Sequence, residues 1–464
     1  MTPRLSVADV TAALGRSPER PPLPGAIFQG VTIDSRRLRP GELFVALRGE
    51  RYDGQRFLPD AVEAGATGAV GRDIPFEGRD RIAFWPVDDG RSALQALARW
   101  HRARLPVRVV AVTGSNGKTT TKELVAAVLS QRFATARTVG NLNNQVGVPL
   151  TLLELEDGHE WAVVELGMNR PGEIAPLARI SRPEIGIVTN VAASHLEGMG
   201  SIEAVLDEKL ALGRALPPDG LLIYCGDQPP LREAVRGVGC RTLAYGLEPH
   251  NDLRPERWRL DDEGRGLIDL DGRTYRLRLV GRHNVVNALA AVAVGREAGL
   301  DETAIACGLA EPEGLPMRMQ LERWGEITAL VDCYNANPDS VLSAASSLAD
   351  LAGVRRRVAV LGEMLELGER GAELHEALGR SLAGLVDVVL AVDAGAEPIA
   401  RGAEAESLAS ERVDRDEAVR WLVENLAPGD AVLFKASRGA ALEEIVARVR
   451  EACVNGVTAV EGGR

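Results

Sequence analysis

Short β-branched apolar runs alternate with helix-length stretches along most of this chain. Such a run at 107–112 is followed by a Gly-containing turn and a helical stretch at 118–131. Further buried strands are predicted at 162–166, 185–191 and 221–224, with helices between them, one of them at 202–215, and a helix at 285–298 closes the region. Strands that alternate with helices of this length predict βαβ units and a mainly parallel sheet. After Pro312 and Pro316 the alternation restarts, with strands at 327–332, 358–361, 388–392 and 431–435 and helices at 340–351 and 373–385. That pattern predicts a second doubly wound unit, Rossmann-like, close to a normal domain in size. The first part of the chain is rich in Gly and Pro, with short apolar runs at 41–47 and 66–70, and reads as a small α/β unit. A helical stretch at 92–104 links it to the centre. The expectation is an α/β protein of three domains: a small N-terminal one at 1–88, a central one with a mainly parallel sheet at 89–314, and a Rossmann-like one at 315–464.

Composition narrows the possible functions. The 464 residues are 45% hydrophobic and 26% charged, which excludes wholesale disorder. Fifty-four basic against 66 acidic side chains leave a formal net charge of −12, which argues against nucleic acid as a partner. No apolar run approaches the ~20 residues of a membrane span, and residues 1–15 lack the pattern of a signal peptide. Five widely spaced cysteines with no C-x-x-C pair fit reduced thiols and a cytoplasmic address. Only four basic residues are lysines: Lys118, Lys122, Lys209 and Lys435. An Arg bias can reflect nucleotide composition alone. The lysines that remain are nevertheless candidates for chemistry Arg cannot do, namely compact phosphate contact or an amine that can be modified.

Thr113-Gly114-Ser115-Asn116-Gly117-Lys118-Thr119-Thr120 places a glycine-rich turn between the strand at 107–112 and the helix at 118–131. Glycines let backbone wrap a phosphate chain, and a helix N-terminus offers free N–H groups. Lys118 is then placed to reach the β- and γ-phosphates and the Thr119 hydroxyl to bind Mg²⁺. Val112 stands where the strict phosphate-loop pattern has its first Gly. The loop points to ATP or GTP without naming a reaction. Glu165 ends a predicted strand, where parallel sheets bind ligands, and is a candidate for Mg²⁺. His195 follows another strand, and Lys209 lies on the next helix. Taken singly, each has an ordinary alternative, a structural His or a surface Lys.

Together these residues resemble a family, the ATP-dependent Mur ligases of peptidoglycan synthesis. Residues 113–120 are similar to that family's phosphate loop, and Glu165, His195 and Lys209 match its metal-site positions in order and approximate spacing. Three stretches bring the chain nearest to the branch that adds a D-Ala-D-Ala dipeptide. They are Gly-Asn-Leu-Asn-Asn-Gln-Val-Gly-Val-Pro at 140–149, Asp-Cys-Tyr-Asn-Ala-Asn-Pro-Asp-Ser at 332–340 and Lys-Ala-Ser-Arg-Gly at 435–439. Residues 34–36 and 40–47 resemble the family's nucleotide-sugar domain, so the likeness spans nearly the whole chain.

The resemblance implies three domains, for the UDP end of the substrate, for ATP and for the incoming amine. It implies UDP-muramoyl-tripeptide contacts from Ser35 and Arg36 and substrate contacts from Asn143, Asn144, Asn335, Asn337, Lys435, Ser437 and Arg438. Asn284 is implied near adenine, and Arg318 and Asp332 at the nucleotide's phosphate and ribose. Each has a plainer reading, a cap for the helix at 285–298 or an interdomain ion pair. Cys333 and Ala436 stand where the family more often has Ser and Gly. The family's chemistry implies ATP, two Mg²⁺ ions held with Thr119, Glu165, His195 and Lys209, and a CO₂-derived carbamate on Lys209. Lys118, Glu165, His195 and Lys209 are then the catalytic set, in a cytoplasmic monomer acting on small molecules. The rival readings are another Mur or folylpolyglutamate-type ligase that adds one amino acid, a phosphate-loop kinase and a nucleotide-binding regulator. The Asp-Asn-Pro-Arg sequence of the diaminopimelate-adding branch is absent from the last third of the chain.

Overall fold

The computed structural model describes residues 5–19, 26–49, 52–73 and 82–461. Three successive units carry the parallel sheets that the alternating pattern predicts. In the first, Val31–Thr32, Leu43–Val45, Gly68–Gly71 and Ala83–Pro86 form a four-stranded parallel sheet. A small antiparallel pair, Leu5–Ser6 with Ile27–Phe28, packs into the same core through Phe28 and Trp85.

The central sheet has six parallel strands. Their spatial order is Arg241–Tyr245, Leu221–Cys225, Ile185–Val188, Arg108–Thr113, Trp161–Glu165, Thr135–Arg137. Val109–Val112 and Val163–Val164 are buried at or near zero exposure, as expected of strands covered on both faces. Full burial of each such Val contributes about 1.5–3 kcal/mol. From Arg108–Thr113 the chain moves to one side of the sheet and later returns to the other, so this strand's carboxyl end marks the switch point where such sheets bind ligands.

Three features of the central unit differ from the predicted pattern. A three-stranded antiparallel sheet, Arg257–Leu260, Arg265–Leu270 and Arg273–Val280, is inserted before the helix Arg282–Glu297. That helix does not close the region, because Glu302–Ala310 follows and packs against both it and Lys118–Ser130. The strand predicted at 185–191 also ends early, at Val188, because Thr189 and Asn190 turn their polar groups to the phosphate loop.

The third sheet runs Gln320–Trp324, Ile327–Asp332, Asp430–Lys435, Arg356–Leu361, Val388–Val392, Ala409–Val413. Only the Gln320–Trp324 edge is antiparallel. Its register sets Lys435 beside Asp332 on one neighbour and beside Leu361 on the other. The helix Pro338–Ala349 begins at Asn337, whose side chain accepts from Ser340 N (2.9 Å) in a capping box, with Pro338 at the first helical position.

Candidate active site

The phosphate loop is shaped by close contacts within the chain itself. Gly114 has φ +149°, and a Cβ there would lie 1.8 Å from Thr189 Oγ1, so no side chain fits this close approach. Gly117, at φ +78°, faces Asn287 in the same way. Thr189 Oγ1 donates to Asn116 O (2.6 Å), Asn190 Oδ1 accepts from Asn116 N (2.7 Å), and Asn190 O accepts from Ser115 N (3.0 Å). Ser115 Oγ accepts from Ala192 N (2.9 Å) and from Ser194 Oγ (2.9 Å). The segment leading to His195 is therefore tied to the loop hydroxyl by hydroxyl. At the head of Lys118–Ser130, Lys118 Nζ folds back on Gly114 O (2.8 Å) and Ser115 O (3.3 Å). Burial lowers its amine pKa, opposed by Glu165 and reinforced by Arg318.

A cavity of about 660 Å³ opens beside this loop, at the carboxyl ends of the central strands. The central unit contributes Ser115, Asn116, Gly117, Lys118, Thr119, Thr120, Asn143, Asn144, Glu165, His195 and Asn284 to its wall. The C-terminal unit contributes Arg318, Asp332, Asn335, Asn337 and Lys435. Two amide hydrogen bonds join the walls directly, Asn337 Nδ2 to Asn116 Oδ1 (2.8 Å) and Asn116 Nδ2 to Asn337 Oδ1 (3.2 Å). Lys435, 3% exposed, donates to Asp332 Oδ2 (2.6 Å) and Asn335 O (2.9 Å) and so fixes the C-terminal wall.

Glu165 is nearly buried. Its Oε1 accepts from Asn143 Nδ2 (2.8 Å), while Oε2 is sealed and has no hydrogen-bond partner among the described residues. An uncompensated buried carboxylate oxygen is costly, and a bound cation satisfies it, so the residues fit Mg²⁺. No three His, Cys, Asp or Glu side chains cluster as a metal site among the described residues. His195 and Thr119 share the cavity wall with Glu165 and are the other side chains of this wall able to join it at a cation. Lys209, on Ile202–Ala215, is 1% exposed and is not among the side chains that line the cavity. Its amine pKa is held well below the ordinary lysine value, first by burial and then by Lys118, with Glu208 opposing. Lys122 is equally buried and supports the strand end from below: its Nζ donates to Thr138 O (2.7 Å), and Thr138 Oγ1 accepts from Glu165 N (3.0 Å).

Other predicted residues lie elsewhere or have plain structural work. Ser35 is half-buried and Arg36 exposed in the N-terminal unit, neither lines this cavity, and Arg36 is doubly bonded to Asp34 (2.8 and 2.8 Å). Thr113 and Gly114 shape the loop from behind the wall. Ser437 is buried, and Arg438 pairs with Glu443 (2.8 Å). Asn144 Oδ1 accepts from Val146 N (3.0 Å) and Gly147 N (2.9 Å), which starts the helix Gly147–Leu153. Two plainer alternatives are corrected. Asn284 does not cap a helix, since it lies in the first turn of Arg282–Glu297 and its Nδ2 donates to Val280 O (2.9 Å). Arg318 makes no interdomain ion pair among the described residues and stacks over the Tyr334 ring at 3.9 Å.

The wall also includes residues that the sequence reading did not single out, among them Arg91, Gln145, Glu173, Asn190, Asn287 and His283. His283 was adjacent to a noted Asn, and its polar neighbours were the available signal. Burial pushes its pKa down to about 4, with Lys435 acting in the same direction and Asp332 opposing. His283 is thus a neutral hydrogen-bonding group at pH 7, facing Ser343 Oγ at 3.2 Å. Its folded pKa lies below the unfolded value near 6.5, so the unfolded chain binds the proton first as pH falls. Stability is expected to drop by roughly 2–3 kcal/mol from this group between pH 6.5 and 4. Denaturant titrations of His283→Gln should show that part of the acid loss removed.

Comparison with known proteins decides the family. Residues 27–102 match the model described as "Mur ligase family, catalytic domain", 112–295 match "Mur ligase middle domain" and 317–438 match "Mur ligase, glutamate ligase domain". The chain belongs to the Mur ligase family. Among relatives of this family, the UDP-N-acetylmuramoyl-tripeptide–D-alanyl-D-alanine ligase of Synechocystis is 40% identical, over 91% of this chain and 92% of its own. The same enzyme of Bacillus subtilis is 37% identical, over 90% and 93%. In structure, MurF from Acinetobacter baumannii superposes with a TM-score of 0.88 at 30% identity, covering 97% of this chain and 99% of that one. MurF from Thermotoga maritima, solved in complex with ADP, gives 0.82 at 29%, covering 92% and 98%. Folylpolyglutamate synthase from Mycobacterium tuberculosis, at 18% identity and a TM-score of 0.60, over 76% of this chain and 94% of that one, shares the fold alone.

Proposed function

We infer that the protein joins D-alanyl-D-alanine to UDP-N-acetylmuramoyl-tripeptide at the cost of ATP, producing ADP, phosphate and the UDP-muramoyl-pentapeptide precursor of peptidoglycan. The observation that carries this reading is the shared cavity: the phosphate loop forms one wall, and Asp332, Asn335, Asn337 and Lys435 form the other. A kinase needs only the first wall. A ligase must bring an amine to a carboxylate activated beside the loop. High-coverage relatives named for this reaction, at 37–40% identity, support the same choice over single-amino-acid ligases.

A carboxylate is a poor electrophile, so its oxygen attacks the γ-phosphorus and ADP leaves. The dipeptide amine then attacks the acyl carbon, and phosphate leaves the tetrahedral intermediate. Lys118 exchanges its carbonyl partners for phosphate oxygens, and the N–H groups at the helix start bind the rest of the chain. Arg318 and Asn284 both line the cavity, which supports assigning Arg318 to the nucleotide's phosphates and Asn284 to its adenine. Thr119, Glu165, His195 and Lys209 would hold Mg²⁺, which would supply charge neutralisation for the transferring phosphoryl. Burial supports reading Lys209 as a carbamate, because an ammonium beside Lys118 and a cation is disfavoured. Docking of the two walls excludes water that would hydrolyse the acyl phosphate.

The boundaries at 88/89 and 314/315 are supported by sheets that end at Pro86 and begin at Gln320. Ser35 and Arg36 are assigned to the UDP end, and Ser437 and Arg438 to the amine side. A cytoplasmic address suits the nucleotide-linked substrates, and no helix among the described residues is long and apolar enough to cross a membrane. A monomer suffices, since one chain supplies both walls. Release of ADP, followed by a coupled assay, is expected only when both UDP-N-acetylmuramoyl-tripeptide and D-Ala-D-Ala are present. Equal release with neither substrate would make the protein a simple ATPase, and faster turnover with a single amino acid would move it to another branch.

A further inference from the structure

His195 is held in a left-handed conformation (φ +55°) at the head of Leu196–Met199. Its Nδ1 is sealed from solvent and has no well-aligned hydrogen bond, yet Glu366 Oε2 stands only 2.5 Å away. Glu366 comes from the C-terminal unit, on the loop after strand Arg356–Leu361, and is itself left-handed (φ +64°). Two adjoining non-glycine residues in this sparsely used conformation, from different units, mark a contact that the surrounding structure enforces.

The enforcement is visible on both sides. Glu197 N donates to Glu366 O (3.1 Å), which docks the loop backbone on the turn that carries His195. Met364 N donates to His375 Nε2 (2.9 Å), and Leu365 N donates to Ser437 Oγ (2.9 Å). Ser437 N in turn donates to Glu363 O (3.1 Å). The Glu366 side chain is thus presented by a braced loop even though it remains half exposed.

We propose that Glu366 is the positioning residue for His195, a carboxylate that accepts a hydrogen bond from Nδ1–H and so leaves Nε2 with its lone pair free for Mg²⁺. The inference rests on the reading of His195 as a metal ligand given above. A histidine ligand needs one nitrogen deprotonated, and the partner of the other nitrogen selects the tautomer, fixes the ring and raises its basicity. Here that partner belongs to another domain. The metal site therefore reaches full strength only when the C-terminal unit is docked, which ties activation of the carboxylate to the arrival of the wall that brings the amine. An acyl phosphate made in an undocked enzyme would meet water instead.

The test is Mn²⁺ binding, followed by electron paramagnetic resonance with a non-hydrolysable ATP analogue present, in the full-length enzyme and its Glu366→Gln, Glu366→Ala and His195→Ala variants. Loss of such a carboxylate typically costs about 10–100-fold in metal affinity. Glu366→Ala is expected to weaken the His195-dependent Mn²⁺ equivalent by that order. Glu366→Gln, which keeps an acceptor without the charge, should weaken it less. In turnover assays the Mg²⁺ requirement should rise while kcat recovers at saturating Mg²⁺. If His195→Ala weakens Mn²⁺ binding but neither Glu366 variant does, Glu366 is only an interdomain contact and the proposal fails alone. Unchanged binding in His195→Ala would remove the metal-ligand reading and the proposal together. Should the alanine variant not fold, the glutamine variant decides, since the side chain it replaces is half exposed.

Discussion

Replacing Lys118 by Arg is expected to lower the rate of ADP formation by about 10²-fold or more, the usual order for losing one group that stabilises transition-state charge. Formal charge is unchanged, so the loss must come from shape. Lys118 Nζ reaches Gly114 O and Ser115 O from within the turn, at 2.8 and 3.3 Å. A compact ammonium can swing from these carbonyls to a phosphate with little rearrangement. The planar guanidinium is wider and directs its donors in a fixed fork. Gly114 and Gly117 already abut Thr189 and Asn287, so the loop has little slack to admit it. ADP release with both substrates saturating checks this. Near-normal kcat in Lys118→Arg would take Lys118 out of the phosphate site.

Much of the scaffold was legible because burial on both faces leaves an unambiguous pattern. The helix Ile202–Ala215 and the strands Ile327–Asp332 and Val388–Val392 occupy the ranges that their apolar runs predict. The inserted antiparallel sheet was not recognised, although Arg273–Val280 alternates cleanly, with Tyr275, Leu277 and Leu279 inside and arginines outside. Searching for continuous apolar runs, the signature of covered parallel strands, passes over a half-exposed strand with period two. Helix starts shifted for a related reason. Arg282 and His283 are polar, and nothing in their own chemistry says that Gly281, at φ +97°, has already turned the chain into the helix.

The central wall could be read because its residues stand next to strand ends and turns, which local pattern locates. The opposing wall depends on register between distant segments. Lys435 meets Asp332 because Asp430–Lys435 inserts beside Ile327–Asp332, a pairing no local signal specifies. Glu366 was invisible for the same reason, its meaning coming entirely from His195 on another unit. Lysine scarcity pointed to side chains that are not ordinary surface residues. Lys122, Lys209 and Lys435 are each at most 3% exposed, and Lys118 and Lys435 line the cavity.

Lys209→Ala is expected to lose about 10²–10³-fold in turnover, again on the scale of removing one group that organises transition-state charge. A surface lysine would make this substitution nearly silent. Lys209, however, is 1% exposed, on a helix whose neighbouring Glu208 is spent on the backbone N–H groups of Gly172 (2.7 Å) and Ile174 (2.6 Å). Glu208 is therefore occupied in clamping the loop after Glu165 and makes no hydrogen bond to the lysine amine. An unpaired ammonium at this depth, close to Lys118, is unfavourable. As the neutral amine it can attack CO₂, forming an N–C bond and releasing one proton, and the product is an anionic oxygen donor of the type Mg²⁺ prefers. On the carbamate reading this position requires a lysine, in a chain that uses Arg almost everywhere else. Truncation to Ala leaves room for a small carboxylate, so acetate should restore part of the activity to Lys209→Ala and none to Lys209→Arg, where the guanidinium fills the space. Intact-mass measurement in bicarbonate should show one added CO₂ on the parent enzyme and none on either variant. A fully active Lys209→Arg enzyme would end the carbamate reading and leave Lys209 as a packed structural residue.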